Sequence, residues 1–138
     1  MSEESDSPRV VLSDRQDLRT EHDSLTSLAL RTLEGEGAAG LELSVSLVTE
    51  EEMADLHQRY LGEPGSTDVL SFSMGEEGLL GDVVICPAVA ASQNPDAEAE
   101  VRLLLVHGIL HLLGYDHQED EDRREMWRRQ EKYSGVRG

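Results

Sequence analysis

Alternation organises the middle of the chain. Leu41, Leu43, Val45 and Leu47 are separated by Glu42, Ser44 and Ser46, the period of two expected for a strand with one buried face. Thr67 to Met74 repeats the pattern, with Leu70, Phe72 and Met74 on one face and Val69, Ser71 and Ser73 on the other. Leu79 to Cys86 is almost continuously apolar, which predicts a central strand, and Pro87 stops it. Arg9 to Leu12 is a short apolar run that suits a first strand. The segments between follow a helical period. Ser24 to Leu33 sets Leu25, Leu28, Leu30 and Leu33 near helical spacing before Gly35, Gly37 and Gly40 end it. Thr49 followed by Glu52 is a capping box for a helix reaching about Tyr60. Ala97 to Leu113 carries apolar residues on every side, which predicts a helix buried in the domain centre and stopped by Gly114. A last helix, Glu119 to Tyr133, is read with Met126 and Trp127 inward and its basic residues outward. Strands and helices mixed in this order around one sheet make an α+β or three-layer arrangement.

At 138 residues the chain is read as a single domain, 1–138, with the polar, acidic residues 1–8 expected to be disordered. No apolar run approaches the roughly 20 residues that span a bilayer, and the first residues lack the basic and apolar regions of a secretory signal. Cys86 is the only cysteine, which leaves no internal disulfide and no cysteine-based zinc cluster. A soluble, reducing, cytoplasmic setting is the expectation. The net charge of −17 by itself argues against nucleic acid. Its distribution changes that picture. Residues 123–138 hold Arg123, Arg124, Arg128, Arg129, Lys132 and Arg137 against Glu125 and Glu131, so they carry +4 and the rest of the chain −21. Such a segment marks either a partner surface or a solvated helix whose arginines pair with its own acids.

The chemistry is concentrated in His107-Gly-Ile-Leu-His111-Leu-Leu-Gly114-Tyr-Asp-His117. Positions i and i+4 share a helix face, so His107 and His111 point the same way from a helix that is otherwise hydrocarbon. Buried imidazoles need partners, and a divalent metal supplies one to both. Gly114 lets the chain turn back so that His117 can join as a third ligand. Three nitrogens leave the fourth position of a tetrahedral Zn²⁺ open, the catalytic form of such a site. The spacing equals that of the metzincin proteases, H-E-x-x-H-x-x-G-x-x-H, but Gly108 stands where their general-base glutamate would be. That argues against peptide hydrolysis and leaves phosphodiester hydrolysis open. Asp116, beside His117, is a candidate to take a proton or orient a ligand imidazole, or else it caps the last helix.

Taken together, the histidine block, Thr67-Asp68-Val69-Leu70-Ser71-Phe72 and Gly81-Asp82-Val-Val-Ile-Cys86 resemble the YbeY family of bacterial endoribonucleases. The likeness runs over roughly residues 41–133, including Asp120-Glu121-Asp122 and Met126. It implies a zinc-dependent, single-strand-specific ribonuclease acting in 16S rRNA 3′-end maturation and ribosome quality control. It implies one Zn²⁺ per chain on His107, His111 and His117, with ribosomal RNA and the small ribosomal subunit as partners and neither membrane nor DNA. The implied fold is a three-layer α/β/α, metalloprotease-like domain with a small mixed four-stranded sheet around the central buried helix. Two positions depart. Leu61 follows Tyr60 where the family often has arginine, and Ser73 follows Phe72 where proline is usual. If that arginine holds substrate phosphate, another group must do so here.

Several residues remain. Asp82 interrupts an apolar strand, and it bonds a ligand histidine, supports the substrate cleft, or makes a hydrogen bond at a loop edge. Ser71 and Ser73 make one strand face small and polar, suited to a groove or to an exposed strand surface. His22 and His57 read as surface residues and Cys86 as a core thiol. Five aromatic residues are few for stacking bases, so Arg123, Arg124 and Arg128 are the candidates for RNA contact. Two other functions stay open: a non-catalytic ribosome assembly factor with a structural zinc, and a metallohydrolase of another substrate.

Overall fold

The computed structural model describes residues 9–115 and 119–136. Its elements are β1 (Arg9–Asp14), α1 (His22–Gly35), β2 (Glu42–Leu47), α2 (Glu50–Leu61), β3 (Val69–Glu76), β4 (Leu79–Ile85), α3 (Pro87–Gln93), α4 (Ala97–Leu112) and α5 (Asp120–Ser134). The expected disorder of residues 1–8 lies outside the described residues.

The four strands form one mixed sheet in the order β1-β2-β4-β3. β1 and β4 run parallel to β2, while β3 is antiparallel to β4 and forms an edge. The apolar run of β4 is therefore central, as its lack of alternation predicts. Period two divides the side chains of β2 and β4 between two cores. Leu43, Val45, Leu47, Val83 and Ile85 pack with Leu28 and Leu33 of α1, Leu105, Ile109 and Leu110 of α4, and Met126 of α5. On the other face Val84 and Leu70 pack with Met53 and Leu56 of α2. Helices on both faces of one sheet make the domain an α+β, three-layer structure.

Local chemistry sets the ends of these elements. The Thr49 hydroxyl accepts from the Glu52 backbone N–H at 3.1 Å, which realises the capping expectation for α2. Gly62, at φ 69°, closes that helix in the left-handed region. Pro87 ends β4, as expected, but it also opens α3, a short helix absent from the sequence reading. Its fixed φ and missing N–H suit the first turn of a helix. Trp127 corrects another expectation. Met126 is 1% exposed whereas Trp127 is 54% exposed. Adjacent helical positions lie about 100° apart, and the buried stripe of α5 is Met126, Gln130 and Ser134. His57 also departs from the surface reading. Its half-buried ring bonds the Gly65 carbonyl at 2.9 Å and approaches Glu63 at 3.2 Å, closing the loop after α2. No helix among the described residues is long and apolar enough to cross a membrane.

Candidate metal and catalytic site

The histidine pair sits where α4 is held between α5 and the sheet edge. His107 and His111 lie one turn apart with ring centroids 6.4 Å apart and planes within 8° of parallel. His107 is half-buried and His111 is exposed. Gly108, between them, faces the sheet. A Cβ there would stand 2.6 Å from Val83 Cγ1 and 3.1 Å from Ser71 Oγ. The Ser71 hydroxyl donates to the Gly108 carbonyl at 3.4 Å. Close approach of helix and sheet thus fixes glycine at this position, and no room exists for a glutamate side chain. The missing protease base follows from packing as well as from the sequence.

His107 is oriented from α5. Its Nδ1 lies 2.6 Å from Oε1 of Gln130, which is 6% exposed. An amide oxygen only accepts, so Nδ1 carries the proton and the lone pair is on Nε2. The sequence reading missed Gln130. Its signal was the helical spacing with Met126, which puts a polar residue on the buried face opposite the histidine helix.

After Leu112 the chain turns. The Tyr115 N–H donates to the Leu110 carbonyl at 3.0 Å and Gly114 adopts φ 104°, as its predicted stop requires. Tyr115 is then anchored away from the sheet. Its hydroxyl donates to Glu36 Oε1 at 2.6 Å, while Tyr133 donates to Oε2 at 2.6 Å and Arg129 at 2.7 Å. The Glu36 side chain is 5% exposed. Burial pushes this carboxyl up, but the two hydroxyls and the guanidinium outweigh it and hold it below the ordinary range. Burial and the bond to Glu36 push the Tyr133 hydroxyl up to about 12. Gly35 makes room for this cluster, since a Cβ there would stand 2.5 Å from the Tyr133 oxygen. Glu36 and its partners were not foreseen either, because they come from three distant segments.

The remaining expected site residues divide. His107 and His111 come together on α4, and Ser71 meets the backbone of Gly108 between them. Asp116 and His117 lie outside the described residues. Asp82 is not brought to the histidines. It pairs across the sheet with Phe72, on the α2 face, and accepts from Ser46 Oγ at 3.5 Å. Burial raises its pKa, opposed by Arg15 and the Ser46 bond. Ser73 is exposed, and so is Leu61, where the resemblance leads to the expectation of an arginine. On α5, Arg123 meets Asp120 at 3.2 Å and Arg128 meets Glu125. Arg124 is exposed and has no carboxylate partner among the described residues. Much of the basic segment thus pairs with its own acids.

The donor set fits a divalent metal of the zinc type. Two parallel imidazoles one turn apart, one with its proton on Nδ1, would supply part of the ligand set that such an ion takes. Among the described residues no group of three His, Cys, Asp or Glu side chains is gathered.

A three-layer α+β domain with a histidine pair on its central helix is the class that this fold and site define. The family profile for the endoribonuclease YbeY matches residues 9–135, and the chain belongs to that family. The endoribonuclease YbeY of Thermobifida fusca is 56% identical over 62% of this chain and 65% of that protein. That of Frankia alni is 50% identical over 78% of this chain and 70% of that protein. The chain spans about two thirds of the length of these curated relatives. The solution structure of TM1509 from Thermotoga maritima matches with a TM-score of 0.61 and 32% identity, covering 92% of this chain and 86% of that one.

Proposed function

We propose that the protein is a zinc-dependent endoribonuclease that cuts single-stranded RNA. We assign it to 16S rRNA 3′-end maturation and ribosome quality control in the cytoplasm, with ribosomal RNA and the small ribosomal subunit as partners. The observation that carries this reading is the parallel His107–His111 pair, in a chain of the YbeY endoribonuclease family.

His107, His111 and, by its spacing in the sequence, His117 would hold one zinc. When bound, zinc supplies Lewis acidity: it brings a water's pKa toward neutrality and stabilises charge on a phosphoryl oxygen. The chain's own residues set the conditions for that chemistry. Gln130 keeps the His107 proton on Nδ1. The helix–sheet contact at Gly108 excludes a carboxylate base of the protease kind, which disfavours amide substrates. Asp116 is assigned to proton transfer or ligand orientation. Arg124, exposed and with no carboxylate partner among the described residues, is the side chain on α5 assigned to meet a phosphate.

The test is cleavage of one RNA sequence presented single-stranded and as a duplex. Cleavage of the single strand alone supports the reading, and equal cleavage of both would contradict the substrate class. A second reading, a non-catalytic assembly factor, draws support from the self-neutralised arginines of α5 and from Leu61. It requires that a His111→Ala protein restore rRNA processing in cells lacking the endogenous copy.

A further inference from the structure

We infer that Gln130 is a positioning residue: it fixes the tautomer and direction of His107 and so makes metal affinity depend on the docking of α5. The inference rests on the metal-site reading above for its consequence, but its physical basis is independent of any metal. Oε1 of Gln130 lies 2.6 Å from His107 Nδ1, a short bond just below the usual N–H···O range of about 2.7–3.2 Å. Because that oxygen has no proton to give, the imidazole must donate from Nδ1. Imidazole side chains in water favour the opposite tautomer, with the proton on Nε2. Gln130 therefore favours the form that leaves Nε2 unprotonated, as a ligand nitrogen must be.

The position of Gln130 is itself over-determined. It lies one turn after Met126, which is buried in the main core, and one turn before Ser134, whose hydroxyl donates to the Gln130 carbonyl at 2.5 Å. α5 is further tied to α1 by the Arg129 and Tyr133 bonds to Glu36. Glutamine thus has little freedom to follow His107 if the ring turns, so the ring follows the glutamine. His107 and Gln130 are 23 residues apart, with His117 between them in the sequence. Orientation of the first histidine is consequently completed only when the helix beyond the third has packed. Such outer partners typically change metal affinity by about 10- to 100-fold when removed.

The test compares the wild type with Gln130→Met, which keeps length and packs in apolar surroundings, and Gln130→Glu, which keeps an acceptor. Long-range proton–nitrogen correlation spectra of ¹⁵N-histidine-labelled protein at pH 8 report which ring nitrogen carries the proton. They are recorded as purified and after chelator treatment, with circular dichroism showing each sample folded. The expected result is Nδ1–H at His107 in the wild type and Gln130→Glu, and a shift toward Nε2–H in Gln130→Met. Zinc affinity, measured by competition with a chromophoric chelator, is expected to fall about 10- to 100-fold in Gln130→Met and to be largely kept in Gln130→Glu. An unchanged tautomer in Gln130→Met, or a zinc affinity within twofold of wild type, overturns the inference. A wild type that binds no zinc overturns the metal-site reading and the coupling drawn from it, while the tautomer still decides what Gln130 does to His107.

Discussion

Gly108 lies so close to Val83 that a methyl group on its Cα would stand 2.6 Å from Val83 Cγ1. This contact sets how near the histidine helix comes to the sheet. In an open helix, alanine would be favoured over glycine by about 1 kcal/mol. Here Gly108→Ala is expected instead to destabilise by about 1–3 kcal/mol, the usual penalty of overpacking. Denaturant midpoints measure it. Adding Val83→Ala is expected to recover part of the loss, as coupling between touching residues requires. A more stable Gly108→Ala protein would refute the account of why glycine stands in this motif.

Glu36 gathers the ends of α1, α4 and α5 through Tyr115, Tyr133 and Arg129. Hydrogen bonds to a charged group are worth about 1.5–3 kcal/mol each, so Tyr115→Phe and Glu36→Gln are expected to cost in that range. The pH dependence has a definite sign. The folded Glu36 pKa lies below the ordinary 4.5, so its contribution is complete above that value and is lost as pH falls through the folded pKa. Glu36→Gln is therefore expected to flatten the acid limb of a stability–pH profile. An acid limb as steep as that of the wild type would contradict this role.

Asp82 acts in the opposite sense. Burial raises its folded pKa above 3.8, so ionisation opposes folding as pH rises through that region. Asp82→Asn is expected to be at least as stable as the wild type at pH 7, with the difference gone near pH 3. Thermal melts at the two pH values check it. Since the side chain lies on the α2 face, zinc affinity is expected to be unchanged.

The arginines of α5 are not equivalent. Arg128 is engaged by Glu125, and Arg123 by Asp120, whereas Arg124 has no carboxylate partner among the described residues. If RNA crosses this helix, Arg124→Ala should weaken RNA binding and reduce the slope of log affinity against log salt by about one. Arg128→Ala should change both less. Salt titrations of a fluorescent single strand separate the two outcomes, and equal effects would place RNA elsewhere.

Much of the frame was legible because it obeys simple periods. β2 alternates strictly, β4 is apolar throughout, and Thr49 with Glu52 announces α2; each appears at nearly the expected bounds. α3 was hidden because seven residues are too few to show a helical period and because proline was read only as a stop. Trp127 departs from the expectation because the buried stripe of α5 runs through Met126, Gln130 and Ser134, about 100° around the helix from position 127. Asp82 interrupts an apolar run, yet its alternation with Val83 and Ile85 already assigns it to the other face. Gln130 and Glu36 act through partners far away in sequence, and no local pattern records such contacts. The paired histidines were legible for the opposite reason, since i and i+4 are neighbours on any helix.

The most direct test of the central claim joins metal content to cleavage in the same samples. Wild type and His111→Ala are purified in parallel, their metal is measured by mass spectrometry, and both are assayed on single-stranded RNA. About one zinc per wild-type chain is expected, as for a single three-histidine site, with zinc and cleavage lost together in a folded His111→Ala protein. Metal-free wild-type protein whose cleavage and stability are untouched by chelator would contradict the account.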